Sequence, residues 1–480
     1  MGKKRNSKPD FDKEMDALLS SSPEDDKHLL PKETAETTNI AKPSGYSYPG
    51  KTPKTSKKKR ADLSVQWNAD NRSKSLDAMM DGMTRTARQT FNADSVFGST
   101  EDFAQVVVGI PLGSLAFEYL TGNDVWPLSS LAQLSGRWGT CKSTLAYEIF
   151  RWFYEFGGRS VHLDTESKYN PQLCANVMRY GDDDRAVIYN RCESLEDWQR
   201  RLEFYVSQFK AGMLGTAAEP GPGKVIPVVF GVDSLKAASS EERQEKIKKR
   251  GHGERGFPIE ALKNSDFLSG WKTELDYWPF SLILVNHLKE KTDDLGRTTE
   301  YTPGGELVSF LETYEIRTSL WSKRIANSQF EGVGVRLTCA KNSLAPTNRR
   351  VRTRFIWWTE MDEKGEPQQY HVWDWNWATV AMLHEIMTIH KGPEKGRLKN
   401  LGWSMDVKSP SADLECLASV PLLGMKKGEF LPWQEVGGMI HESQEVMTLL
   451  RKGLGIEVRR TMSLGDNYET IYRGEQAKMR

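Results

Sequence analysis

Five short apolar runs in the middle of this chain constrain its fold more than any other feature. Leu131 to Leu134, Val161 to Thr165, Ala186 to Tyr189, Val228 to Asp233 and Leu282 to Asn286 each have strand length, with helical stretches between them. Parallel strands need a crossover, and a helix is the usual one, so the alternation predicts a mostly parallel sheet covered by helices. Three more runs, Tyr314 to Leu320, Val335 to Ala340 and Arg352 to Trp358, follow with no helix-length segment between them and predict a meander appended to that sheet. A hairpin around Asp362 to Pro367, a helix over Thr379 to His390, a linker-like passage from Gly392 to Pro410 and a small helical domain from Ala412 onward complete the C-terminal part. There is no internal repeat at a period of 20 to 50 residues, which excludes solenoids and propellers.

The chain has 480 residues, enough for two or three folded units. From Met1 to about Asp70 it is rich in Lys, Ser, Thr, Pro and acidic residues, without a helical or strand period, and is expected to be a disordered arm. Lys51 to Arg60 (KTPKTSKKKR) within it fits either a phosphate-binding run or a solvated linker. Ser73 to Phe91 has Leu76, Met79, Met80, Met83 and Ala87 spaced for one helix face, and a short strand is expected over Asn92 to Gly98. The expected division is an arm over 1–70, a helix and strand over 71–104, a sheet-and-helix core over 105–360 and a C-terminal hairpin and helical domain over 361–480. Lys plus Arg number 66 against 65 Asp plus Glu, so any argument for nucleic acid must rest on local charge. Five cysteines without paired spacing argue against a disulfide framework or a zinc ribbon. With no apolar run of about 18 residues and no signal-like N-terminus, a soluble, non-exported, cytoplasmic protein is expected, with no membrane partner.

The chemistry concentrates in Gly136 to Ser143, GRWGTCKS, between a short apolar run and an amphipathic helix. That context suits a phosphate-binding loop of the Walker A type. The loop residues Gly136, Arg137, Trp138, Gly139, Thr140, Cys141, Lys142, Ser143 and Thr144 would surround the phosphates of ATP. Lys142 would reach the terminal ones and the Ser143 hydroxyl would ligate Mg2+. Cys141 departs from the pattern, because glycine is wanted immediately before the lysine. The run VIPVVFGVDS ends in Asp233, as a strand whose carboxylate holds the magnesium shell would. Asp164-Thr165-Glu166 closes another strand at the sheet edge where nucleotides bind, with Glu166 placed to orient an attacking water.

The order of these motifs resembles the RecA family over roughly Lys74 to Trp358, with a pattern similar to the phage UvsX-type branch. KSLDAMMDGMTRTARQTFNADSVFG resembles the segment that packs on the adjacent protomer of a filament, and VVVGIPLGSLAFEYLTGND the approach to the phosphate loop. HLDTESKYNPQL resembles the segment carrying the catalytic glutamate, which implies Glu166, with Asn170 and Pro171 near the adenine. GVDSL resembles the Walker B strand, and LILVNHLKEK the strand ending at the nucleotide sensor, glutamine in the bacterial proteins and His287 here. That branch also tolerates a bulky residue before the loop lysine. TPGGELVSF resembles the end of the second DNA-binding loop, and AKNSLAP the segment that reaches a neighbour's ATP. Lys341 there matches an inter-subunit lysine, while Ser343 stands where the bacterial proteins carry a second one. The acidic C-terminal tail of those proteins is not matched.

The resemblance implies an α/β fold: a RecA-like P-loop ATPase core, mostly parallel sheet flanked by helices, with a disordered N-terminal arm and a small α-rich C-terminal domain. It also implies a recombinase that forms filaments on single-stranded DNA, takes in double-stranded DNA and exchanges strands, aided by mediator and single-strand DNA-binding proteins. Two stretches would hold DNA. Lys246 to Pro258 carries Lys246, Lys248, Lys249, Arg250 and Arg255 without an apolar period, where the family's first DNA loop lies. Leu288 to Thr302 carries Lys289, Lys291 and Arg297, followed by Gly304 and Gly305, and begins beside His287. Trp357, Trp358, Trp373, Trp375 and Trp377 fit packed sheet surface better than base stacking. A nucleotide-binding DNA scaffold with little turnover, suggested by Cys141 and Ser343, and a RecA-fold ring helicase are the alternatives.

Overall fold

The computed structural model describes residues 108–180, 186–214, 226–235, 239–242, 244, 259–292, 298–303, 306–327, 329–361, 365–388, 392–408 and 416–462. The arm, the helix expected over Ser73 to Phe91 and the strand over Asn92 to Gly98 lie outside the described residues.

The nine-stranded central sheet has the strand order β13-β12-β11-β10-β3-β7-β6-β4-β5. Its parallel half comprises β3 (Ser130–Gly136), β4 (Arg159–Asp164), β5 (Val187–Arg191), β6 (Val228–Asp233) and β7 (Phe280–His287). These are the five runs read from the sequence, with Val228–Asp233 unchanged and the ends of the other four shifted by one or two residues. Nearly every residue of β3, β4, β6 and β7 is buried, because helices cover both faces of a parallel sheet and leave no side for a polar alternation. The meander is β10 (Tyr314–Ala326), β11 (Glu331–Asn342), β12 (Arg350–Met361) and β13 (Pro367–Trp373), antiparallel throughout. It joins the core where β10 pairs in parallel with β3. The phosphate-loop strand is therefore the seam between the two halves.

Four helices connect the strands of the parallel half, α2 (Lys142–Glu155), α3 (Pro171–Met178), α4 (Leu195–Leu214) and α5 (Ile259–Tyr277), whereas α1 (Leu115–Thr121) packs against β11 and β12 of the meander. A short helix, α6 (Glu306–Leu311), leads into β10. Aromatic edge-to-face contacts fill the core, with Phe230 against Trp271 and Phe280 on one side and Phe117 against Trp152 and Trp375 on the other.

The C-terminal part is α-rich, with α7 (Trp375–Thr388), α8 (Pro393–Asn400), α9 (Trp433–Glu442) and α10 (Gln444–Leu454). The helix expected from Thr379 starts four residues earlier, because Asp374 accepts the Trp377 N–H at 3.1 Å and caps it. The passage read as linker-like from Gly392 holds α8 and β14 (Asp406–Lys408) instead. Its helix lacks an apolar period and is anchored by buried Leu398, with Pro393 opening its first turn. Strand β14 joins β15 (Leu417–Ser419) and β16 (Leu431–Pro432) in a small antiparallel sheet.

Several contacts bind this part to the core. Arg451 donates twice to buried Glu118, both at 2.7 Å. The Leu115 N–H donates to His441 Nε2 at 3.2 Å. Strand β17 (Arg460–Thr461) pairs in parallel with β1 (Val108–Pro111), whose other neighbour is β2 (Val125–Pro127). Trp373, Trp375 and Trp377 are buried, as packed surface requires. The first two donate to the Thr144 carbonyl at 3.1 Å and to Glu148 at 2.7 Å, bracing the helix that follows the phosphate loop.

Candidate nucleotide site

The loop between β3 and α2 is shaped by its close neighbours. Gly136 is paired with Thr318 of β10, and a Cβ there would fall 2.3 Å from Thr318 Oγ1 and 2.6 Å from Thr140 Oγ1. The two hydroxyls are 2.7 Å apart, and Thr140 also donates to the Arg137 carbonyl at 2.8 Å. Gly139 has φ +73°, which glycine adopts freely. Cys141 adopts φ 63°, ψ 30°, the left-handed conformation at which the consensus glycine would be unstrained. Its side chain packs against the apolar core, and burial pushes its thiol up to about 11. The residue that departs from the motif is thus accommodated as a small apolar group.

Helix α2 begins directly after Cys141 with no side chain capping its first N–H groups. Uncapped N–H groups and the positive end of a helix dipole form an anion site. Lys142 is buried and directs its Nζ to the Arg137 carbonyl at 2.8 Å, across the loop. Burial lowers the Lys142 pKa, opposed by the charges of Asp233 and Glu166. Thr144 Oγ1 donates to the Cys141 carbonyl at 2.9 Å. Trp138, at the tip, is 84% exposed.

Two strands, β4 and β6, deliver carboxylates to the same edge. Ser143 Oγ donates to Asp233 Oδ2 at 2.5 Å, bringing together the two residues expected to hold magnesium. Burial pushes Asp233 up to about 6, countered by the Ser143 hydrogen bond and reinforced by the charges of Glu166 and Asp164. The Asp233–Ser234 peptide is cis. Glu166 Oε1 accepts from Ser234 Oγ at 2.6 Å and lies 3.0 Å from His287 Nε2, while Oε2 accepts from Lys168 Nζ at 2.7 Å. Burial alone would raise this carboxyl, but the hydrogen bonds from Lys168, Ser234 and His287 outweigh it and hold Glu166 down at about 2. It is ionised, as a group that orients or accepts a proton from water must be.

Asp164, buried at the end of β4, builds the turn that carries Glu166. Its Oδ1 accepts the Glu166 N–H at 2.9 Å, and its Oδ2 accepts the Tyr169 N–H at 3.0 Å and the Tyr189 hydroxyl at 3.1 Å. Tyr169 and Tyr189 stack at 4.2 Å. Asn170 caps α3 by accepting the Leu173 N–H at 3.0 Å.

From His287 a polar path enters the sheet. The His287 N–H donates to Asn286 Oδ1 at 2.9 Å, and Asn286 Nδ2 donates to the Pro303 carbonyl and, at 3.0 Å, to Gln133 Oε1. Gln133 donates in turn to Glu312 at 3.2 Å. The two strands after His287, β8 (Lys289–Thr292) and β9 (Thr298–Tyr301), form an exposed hairpin. Its Glu290 and Glu300 both pair with Arg137 of the phosphate loop, the latter at 3.0 Å. Lys289 is exposed on β8 and Lys291 is part of the same strand. Lys341 reaches the Ser309 and Phe310 carbonyls at the end of α6, and Ser343 Oγ donates to the Glu312 carbonyl at 3.2 Å. Lys246, Lys248, Lys249, Arg250, Arg255, Arg297, Gly304 and Gly305 lie outside the described residues.

The residues fit a magnesium nucleotide: an uncapped helix N-terminus, a lysine crossing the loop, and a hydroxyl beside a buried carboxylate. Thr318 and Gln133 carry no motif signal, since each becomes visible only once the strand pairing is known, while Ser234 and Lys168 lie inside the segments GVDSL and HLDTESKYNPQL without an assigned role. Asp164 sat inside a recognised motif without a role.

No protein-family model matches the chain. It is similar to Protein RecA of Enterococcus hirae, 22% identical over 298 residues, 62% of this chain and 78% of that protein. Protein RecA of Aquifex aeolicus is 24% identical over 238 residues, 49% of this chain and 62% of the relative. For Protein RecA of Rubrobacter xylanophilus the values are 22% over 281 residues, 58% and 74%. No helix among the described residues is long and apolar enough to cross a membrane. The low identity, over about 60% of the chain, together with the α/β architecture supports one relationship: the chain is a distant relative of the bacterial RecA proteins.

Proposed function

We propose that this chain is an ATP-dependent DNA recombinase that assembles filaments on single-stranded DNA and catalyses homologous pairing and strand exchange with duplex DNA. The observation that carries this reading is the convergence of Lys142, the Ser143–Asp233 pair, Glu166 and His287 on one edge of the parallel sheet, with a polar hairpin starting two residues beyond His287. Hydrolysis needs an anion cradle, a metal pair, a water-orienting carboxylate and a group that senses the outcome. Ser143 and Asp233 would hold Mg2+, which when bound supplies Lewis acidity at the terminal phosphates. Glu166, held ionised, would orient the attacking water. His287, touching Glu166 and beginning the segment that leads to the hairpin, would transmit the state of that site toward bound DNA. The stretch of sequence containing Lys246, Lys248, Lys249, Arg250 and Arg255, and the one containing Lys289, Lys291 and Arg297 and followed by Gly304 and Gly305, would contact DNA phosphates with a steep salt dependence. Lys341 would meet a neighbouring protomer's nucleotide. Mediator and single-strand DNA-binding proteins would be the loading partners.

His287 at the sensor position and a side chain at Cys141 favour the phage UvsX-type branch. The test compares ATP hydrolysis with and without single-stranded DNA, at fixed salt, for the natural protein and Glu166→Gln. DNA-stimulated turnover lost in the variant is the expected result. DNA binding without turnover in either protein would replace this reading with a nucleotide-binding scaffold, and closed rings in electron micrographs would replace it with a helicase.

A further inference from the structure

The site's charges leave one group unexplained. Asp164, Glu166 and Asp233 bring three carboxylates to the sheet edge, and the described ammonium groups beside them are Lys142 and Lys168. Arg137, the other cation of the phosphate loop, is engaged by Glu290 and Glu300. Lys142 is buried and fixed across the loop, whereas the Lys168 side chain is 69% exposed on a flexible stem and pairs with Glu166 Oε2 at 2.7 Å. Its charge is near enough to those of Asp233 and Lys142 to interact with both. A polyanion entering among these carboxylates meets repulsion that magnesium offsets only in part.

We infer that Lys168 is a further catalytic residue, a mobile cation supplied in cis that moves from Glu166 to the terminal phosphoryl group as hydrolysis proceeds. The inference rests on the proposed ATPase reading. In that reaction the water oxygen bonds to the γ-phosphorus while the bond to the β,γ-bridging oxygen breaks, and the electron pair departs with ADP. The proton of the water passes by way of Glu166 to the phosphate product. Lys168 changes no bond. It neutralises charge on the equatorial oxygens, and by leaving Glu166 it frees Oε2 to take hold of the water. A lysine does this as a compact point charge on a long stem. Ser343, neutral and turned to the Glu312 carbonyl of its own chain, adds no positive charge to the site.

The test uses the full-length protein with Lys168→Met and Lys168→Arg. Because Lys168 is exposed, folding is checked by an unchanged thermal transition. Two quantities are measured: the kcat and KM of ATP hydrolysis on single-stranded DNA, and the affinities for ADP and for ADP with aluminium fluoride, a mimic of the transferring phosphoryl group. The expected result for Lys168→Met is a fall in kcat of about 10- to 100-fold with KM changed less than about threefold. Affinity for the aluminium fluoride complex should fall with kcat while ADP affinity holds, and Lys168→Arg should restore part of both. An unchanged or increased kcat in Lys168→Met would overturn the inference and make the lysine a brake on Glu166. Equal losses for ADP and its complex would also overturn it, leaving only ground-state binding. If the natural protein neither hydrolyses ATP nor prefers the aluminium fluoride complex to ADP, the ATPase reading itself fails.

Discussion

His287 Nε2 lies 3.0 Å from Glu166 Oε1, so the end of β7 touches the turn that follows β4 across the intervening strand β6. The backbone N–H of the same histidine is held by Asn286, whose amide also grips the Pro303 carbonyl beyond the hairpin. One residue therefore contacts the candidate water-orienting carboxylate through its ring and the base of the hairpin through its neighbour.

On the proposed function, His287→Ala should bind nucleotide within about threefold of the natural protein yet lose most of the stimulation of hydrolysis by single-stranded DNA. His287→Gln, whose amide can still donate to Glu166, should keep more of it. The ratio of turnover with and without DNA reads this directly, and an unchanged ratio in the alanine variant would sever the link.

Gly136→Ala should abolish nucleotide binding. The added methyl has no room beside Thr318 and Thr140, so the loop must move away from β10. Pairing the change with Thr318→Ala removes one obstacle and should recover part of the affinity, measured by titration with a fluorescent ATP analogue.

Arg451→Met should cost about 3 kcal/mol of stability at neutral pH, because it strands a buried carboxyl. Burial already pushes Glu118 up to about 7 against the pull of Arg451. Without the guanidinium that pKa rises further, so the variant should regain stability as pH falls and Glu118 takes up a proton. Denaturant melts across pH 5 to 8 would contradict this if the deficit were flat.

His441 is held neutral. Its Nε2 accepts the Leu115 N–H and its Nδ1 lies 2.8 Å from Asn376 Oδ1, while burial and then the Arg451 charge lower its pKa to about 4. The folded value is below the ordinary 6.5, so the unfolded chain binds the extra proton and stability is lost as pH drops from about 6.5 toward 4. Replacing it in His441→Gln should flatten that limb by up to about 3 kcal/mol. Buried His162, also lowered to about 4, should account for a similar share of what remains.

The parallel half of the sheet was legible because burial on both faces imposes continuous apolar runs, which a sequence displays openly; Val228–Asp233 matches to the residue. The start of α7 was missed by four residues, since its cap is Asp374, embedded among tryptophans that read as strand. Charged α8 has a single buried anchor and no period to detect. At the site, the phosphate loop and the strand-end carboxylates were visible as contiguous motifs. Thr318 and Gln133 were not, because one acts through the junction of β10 with β3 and the other through a chain of amides crossing the sheet. Sequence spacing carries no trace of either pairing.

Strand β17 lies beside β1, with Arg460 opposite Val108 and Thr461 opposite Gly109. Neighbouring strands are about 4.8 Å apart, so the chain enters the described fold and leaves it at nearly the same spot. Whatever is fused to, or captured by, the segment before Val108 is therefore tethered at the point from which the segment after Met462 departs. A linker joining Val108 directly to Met462 would need to cross almost no protein surface.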